Sequence, residues 1–134
     1  MRYLLDTNIV SYAIKSQYLA LRLRYKEELR KDTVCISAVT RAELRSGQAR
    51  MQSDDRRVKA IDDILIDTPT FEWTTRAADV YGKIDSDLIK IGRQIGIADT
   101  MIAAHAIAEN LILVTHNVRH FERIEGLKIE DWAA

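Results

Sequence analysis

Cysteine and proline are nearly absent from this chain of 134 residues, which holds one of each. A lone cysteine excludes an intrachain disulfide and any zinc site built from cysteines. Set between Val34 and Ile36, Cys35 reads as a small core residue. Net charge is absent too: 20 Lys and Arg stand against 20 Asp and Glu. Overall basicity therefore gives no argument for nucleic acid, and only a local cluster can make one. No apolar run approaches the length of a membrane span. The opening Met1-Arg2-Tyr3-Leu4-Leu5 meets Asp6 too early to form the apolar region of a signal peptide. The expectation is a reduced, cytoplasmic protein with no membrane partner. There is no repeat, linker or low-complexity stretch. Hydrophobic residues at 47% and charged residues at 30% exclude disorder. Residues 1–134 are expected to form a single domain, long enough to bury one core without staples.

What is present is an alternation of short apolar runs with longer segments of helical spacing. Strands are expected at Arg2–Leu5, Thr33–Ile36, around Phe71, at Leu111–Thr115 and near Lys128–Ile129, each too short for a free-standing helix. Helices are expected to carry Leu19, Leu21, Leu23 and Leu29; Val58, Ile61, Ile64 and Leu65; and Ala77, Val80, Tyr81, Ile84, Leu88 and Ile91. The clearest runs from Ala98 to Glu109, with Ile102, Ala103, Ala106 and Ile107 on a face small enough for close packing. Strands alternating with helices imply an α/β fold, a mainly parallel sheet covered on both sides.

Against that frame three acids stand out. Asp6 ends the first apolar run, Glu43 follows Ser37-Ala38-Val39-Thr40-Arg41-Ala42, and Asp99 heads the last long helix. Carboxylates beside buried segments need a partner, a hydrogen bond or a cation. In open α/β sheets such groups gather beyond the carboxyl ends of the strands. Asp6 and Thr115-His116-Asn117 follow strands, Asp99 begins a helix whose dipole favours it, and Glu43 is long enough to reach the same crevice. Converging carboxylates repel unless a cation compensates, and oxygen-only ligands select Mg²⁺ or Mn²⁺ over zinc. Each acid also has a plainer reading: Asp6 as a helix cap, Asp99 as a helix-start acid, Glu43 as a solvated neighbour of Arg41 and Arg45. Between Val39 and Lys59, six basic residues, Arg41, Arg45 and Arg50 among them, outnumber three acids. That patch reads as either a solvated helix face or a phosphate-binding one.

In this order and spacing, Tyr3-Leu4-Leu5-Asp6-Thr7-Asn8, Ser37-Ala38-Val39-Thr40 before Glu43-Leu44, Ile95-Gly96 before Asp99, Ile102-Ala103-Ala104-His105-Ala106, Leu113-Val114-Thr115-His116-Asn117 with His120-Phe121, and the ending Gly126–Trp132 resemble the PIN-domain ribonucleases. Within them the chain is most similar to the VapC toxins of bacterial toxin–antitoxin pairs. The resemblance covers nearly the whole chain. It implies a PIN-like three-layer sandwich and an endoribonuclease that uses Mg²⁺, with Mn²⁺ as substitute. Asp6, Glu43 and Asp99 form its acidic site, Asp6 and Asp99 being the metal ligands. It further implies a cognate VapB-like antitoxin, an RNA substrate such as tRNA cut in a single-stranded loop, initiator tRNA among the candidates, and a homodimer within a larger toxin–antitoxin assembly. The chain departs from many PIN domains at Asn117, where a fourth acid is common. Asn can accept from a metal-bound water but brings no charge, which leaves a second tightly held metal in doubt.

Three rival readings set the tests. His116 and His120, four residues apart, suit a metal-free acid–base pair acting through the 2′-hydroxyl. A PIN-like module that only binds RNA needs none of the acids. A dehalogenase-like phosphotransferase requires a second Asp where this chain has Asn8. His105, on another face of the helix from Asp99, reads as structural. Trp73 and Trp132 read as packing or interface residues.

Overall fold

The structure, a computed structural model, describes residues 1–15 and 17–134. Five strands form one sheet: β1 (Tyr3–Leu5), β2 (Val34–Ser37), β3 (Thr70–Phe71), β4 (Ile112–Val114) and β5 (Ile129–Glu130). Their order is β3-β2-β1-β4-β5, and every pairing is parallel. The expected strands are all found, within a residue or so at each end. Among the described residues seven helices accompany them: α1 (Thr7–Ile14), α2 (Leu19–Arg30), α3 (Ala38–Ala49), α4 (Arg56–Asp67), α5 (Thr75–Lys90), α6 (Ile97–Ala108) and α7 (Val118–Phe121).

The sheet is buried on both faces, which is why its strands read as unbroken apolar runs rather than as alternation with polar residues. Alternate strand residues divide between two cores. Tyr3 and Leu5, Val34 and Ile36, and Val114 join Ile9 and Val10 of α1, Leu21 and Tyr25 of α2, Leu44 of α3, and Ile61 and Leu65 of α4. Leu4, Cys35 and Leu113 face the other way, onto Ile84 and Leu88 of α5, Ile102, Ala103 and Ala106 of α6, and Phe121 of α7. Each fully buried Leu or Ile contributes roughly 1.5–3 kcal/mol by leaving water, and the two sets together lock the sheet between helical layers. Small side chains on α6 let it lie close to the sheet, as their spacing implied. Cys35 is buried, and burial pushes its thiol up to about 12.

Not every apolar residue expected in a helix is covered by the core. Leu19 and Leu23 lie on the solvent side of α2, 61% and 59% exposed, and only Leu21 of that trio is buried. Ile91 is exposed beyond the last turn of α5. Spacing of leucines at i, i+2 and i+4 cannot place all three on one helical face, so α2 presents two of them outward. Among the described residues no helix is long and apolar enough to cross a membrane.

The topology fixes where chemistry can gather. The chain leaves β1 for β2 on one side and returns through α6 to β4 on the other, so strand order reverses between β1 and β4. The crevice at the carboxyl ends of these two strands is the switch point at which open α/β sheets bind ligands.

Candidate active site

Asp6 stands at that switch point. Its N–H continues the sheet ladder to the Val114 carbonyl at 3.0 Å, and its backbone is the cap from which α1 starts. One side-chain oxygen, Oδ1, accepts from the Ile9 N–H at 2.8 Å. The capping reading of Asp6 is thus met, by a carboxylate that stands at the switch point. Asp6 is only 3% exposed. Burial pushes its pKa up to about 6, and the charges of Asp99 and Glu43 add to that rise. The Thr115 hydroxyl and the Ile9 N–H pull the other way. All three acids therefore share one electrostatic neighbourhood, and the buried one bears its strain.

Glu43 and Asp99 reach this neighbourhood from opposite sides. Glu43 is exposed on α3, six residues after Ser37, whose Oγ caps the helix by accepting from the Val39 N–H at 3.1 Å. The Thr7 hydroxyl donates to Glu43 Oε1 at 2.5 Å and lies 3.1 Å from Thr40 Oγ1, tying α3 to the first turn of α1. Asp99 is the third residue of α6, which starts at Gly96 with φ 98°, a conformation that favours glycine. Its Oδ2 accepts from His120 Nε2 at 3.0 Å, and the same nitrogen donates to the Ile95 carbonyl at 2.9 Å. Asn117 caps α7 and is exposed; its N–H donates to Thr115 Oγ1 at 3.0 Å, so the buried Thr115 couples it to Asp6.

The partnerships between these residues and Thr7, Thr40, Thr115 and His120 are what the sequence does not reveal. Thr7 and Glu43 are 36 positions apart and Asp99 and His120 are 21 apart, and no local spacing encodes either pair. The two histidines meanwhile part company: His116 Nδ1 lies 3.0 Å from Asp131 Oδ2, while His120 serves Asp99. His105 is fully buried, its Nδ1 2.8 Å from Ser37 Oγ, and desolvation holds its pKa below the ordinary value. Trp132 packs edge-on to Tyr3 with Arg24 over its ring, and Trp73 donates to the Met101 carbonyl. Both are packing residues, as expected.

The basic cluster is less available than its count suggests. Arg45 pairs with Asp62 at 2.6 Å and also donates to Gln48. Arg41 donates to Thr70 Oγ1, and Arg50 to the Ser46 carbonyl at the end of α3. These are exposed or half-buried bonds that water-facing side chains exchange readily.

Among the described residues no three His, Cys, Asp or Glu side chains are already gathered as a metal cage. Glu43 is bonded to Thr7 and Asp99 to His120. A hard octahedral cation that keeps most of its waters asks for less, one or two carboxylates and the phosphate it serves. Asp6 and Asp99 are the carboxylates that would hold it. The raised pKa of Asp6, set by burial and by two neighbouring negative charges, is the condition a divalent cation would relieve.

Separate from the acids, a groove of roughly 570 Å³ runs between α1, α3 and α4, with Ile14, Leu44, Met51 and Ile61 in its floor and Lys15, Arg56 and Arg57 on its rim. Ser11, one turn along α1 from Thr7, lies at the end nearer the site.

The PIN domain family matches residues 3–127. The chain is 39% identical to the ribonuclease VapC2 of Haemophilus influenzae, covering 98% of each. It is 37% identical to a tRNA(fMet)-specific endonuclease VapC of Shigella flexneri, covering 99% of each. Its fold is similar, with a TM-score of 0.90 and 32% identity, to a chain in a crystal structure of VapBC2 from Rickettsia felis bound to a promoter DNA fragment, covering 98% of this chain and 99% of that one.

Proposed function

The chain belongs to the PIN-domain family, among its VapC ribonucleases, and from that premise we propose that it is a Mg²⁺-dependent endoribonuclease, the toxin of a VapB–VapC pair, that cuts tRNA. The observation that carries the metal reading is the buried Asp6 at the β1/β4 switch, its ionisation opposed by burial and by the charges of Asp99 and Glu43. Asp6 and Asp99 would hold the ion. Held there, Mg²⁺ would supply a lowered pKa for a water and positive charge to offset that on the scissile phosphate. Glu43, exposed and able to release Thr7, orients and deprotonates the attacking water. Asn117 accepts a hydrogen bond at the crevice mouth through its carbonyl oxygen. In-line attack on phosphorus leaves a 5′-phosphate and a 3′-hydroxyl and makes no use of the RNA 2′-hydroxyl. The separation of His116 from His120, each beside a different carboxylate, disfavours a metal-free pair.

The tRNA substrate, with initiator tRNA the first candidate, is supported by the name of the Shigella relative. A single-stranded loop suits such an enzyme because its bases can be splayed out. Arg41, Arg45 and Arg50, on the helix that carries Glu43, would meet the backbone phosphates after exchanging their present partners. The antitoxin is supported by the VapBC complexes among the structural relatives. Its C-terminal segment would lie in the α1/α3/α4 groove and set an Arg or Lys beside Asp6 and Asp99, where a guanidinium bonds two carboxylates. Residues 1–134 would act as one domain, in the cytoplasm, as a homodimer within the toxin–antitoxin assembly.

The test is cleavage of purified tRNA by the purified chain. Activity should vanish with EDTA, return with Mg²⁺ or Mn²⁺, and leave 5′-phosphate ends. Metal-independent products ending in 2′,3′-cyclic phosphate would contradict the reading.

A further inference from the structure

Asp99 is a carboxylate that ought to be loose. It is 40% exposed at the side chain and sits in the first turn of α6, where the cap, Gly96, has no side chain of its own. A carboxylate at the third helical position commonly folds back onto the N–H of the cap residue. Asp99 does not; its Oδ2 is bonded instead to His120 Nε2, 21 residues later in the chain.

The imidazole is itself fixed. A carbonyl oxygen can only accept, so the 2.9 Å bond to the Ile95 carbonyl requires the proton to be on Nε2. One N–H is therefore shared between the residue just before Gly96 and the carboxylate three residues after it, clamping the start of α6 and the side chain together. The ring is held from behind as well. The His120 N–H donates to the Asn117 carbonyl at 3.1 Å, and the neighbouring Phe121, 1% exposed, stands edge-on to the imidazole with centroids 5.4 Å apart. The short α7 thus anchors in the core through Phe121 and presents His120 to Asp99.

We propose that His120 is a positioning residue that holds Asp99 by one oxygen and leaves the other directed to a divalent cation shared with Asp6. The role rests on the metal reading above. Hydrogen-bonded partners of metal-ligating groups typically govern affinity by 10- to 100-fold.

The decisive comparison is between His120→Gln, whose amide N–H can occupy the place of Nε2, and His120→Asn, which has the same polarity but is too short to reach. Mn²⁺ is titrated into the full chain and its free-ion signal followed by electron paramagnetic resonance. The wild type and the Gln variant should bind comparably, and the Asn variant about 10- to 100-fold more weakly. Cleavage by the Asn variant should recover at saturating Mn²⁺. Equal binding by the Asn variant and wild type would overturn the role of His120 while leaving the metal reading standing. So would equal weakening in both variants, or an Asn variant that stays slow at saturating Mn²⁺, the mark of a residue that moves a proton. A wild type that binds no Mn²⁺ would overturn the metal reading, and this role with it.

Discussion

Asp6 and Asp99 lie close enough for their charges to act on each other but are held by different kinds of structure. Asp6 belongs to the sheet: its backbone extends the β1 ladder, its side chain caps α1, and it is almost wholly buried. Asp99 belongs to the rim, on a helix without a side-chain cap, and is steadied by a histidine from another element. The first is placed by the core and carries a desolvation cost; the second is placed by a replaceable hydrogen bond. A site built this way has one member whose position is set by folding and one whose position can be tuned.

The sharpest way to break the comparison is to neutralise each acid in turn. Asp6→Asn and Asp99→Asn should each lower cleavage by at least about a thousandfold, the scale on which losing one member of a catalytic unit costs. They should diverge in stability. Asn still caps a helix through its carbonyl oxygen, so Asp6→Asn keeps the Ile9 bond while removing a buried charge. The fold raises the Asp6 pKa from 3.8 to about 6, so ionised Asp6 destabilises the native state by on the order of 3 kcal/mol. That cost is absent below about pH 4, grows between pH 4 and 6, and is constant above. In metal-free buffer at pH 7.5, Asp6→Asn should therefore melt roughly 5–10 °C above wild type, with the gap closing below pH 4. Asp99→Asn should show no such gain. Calorimetry across pH distinguishes the two.

Thr115→Val probes the buried side alone. Its hydroxyl lowers the Asp6 pKa, so its loss should raise that pKa further and move the acidic limb of the pH–rate profile upward. Activity at neutral pH should fall by about 10- to 100-fold, as for other outer partners of a metal site. Thr7→Val is the mildest change. It frees Glu43 from one hydrogen bond and should alter the cleavage rate by about 2- to 10-fold, measured under single-turnover conditions.

The difference between the two aspartates also marks how far the residues could be read unaided. Strand positions, the parallel sheet and the address of Asp6 follow from local runs such as Tyr3-Leu4-Leu5 and from general rules for α/β sheets. The clamp on Asp99 does not, because His120 meets it only through tertiary packing of α7, and four residues are too few to show helical periodicity. The outward leucines of α2 make a related point: composition marks a residue as apolar, but only its neighbours decide whether it is covered. The basic stretch from Arg41 to Lys59 was counted as charge, whereas Arg45, Arg57 and Lys59 are each paired with an aspartate in space. That the charges of Asp99 and Glu43 would bear on Asp6 was legible; what each acid holds was not.

The most direct test is a crystal of the chain grown or soaked with Mn²⁺, read by anomalous scattering. An anomalous peak should lie within about 2–2.3 Å of one oxygen each of Asp6 and Asp99, the range for a hard cation on carboxylates, with His120 still bonded to the other oxygen of Asp99. A peak only elsewhere, such as between His116 and Asp131, or none at a concentration that supports cleavage, would contradict it.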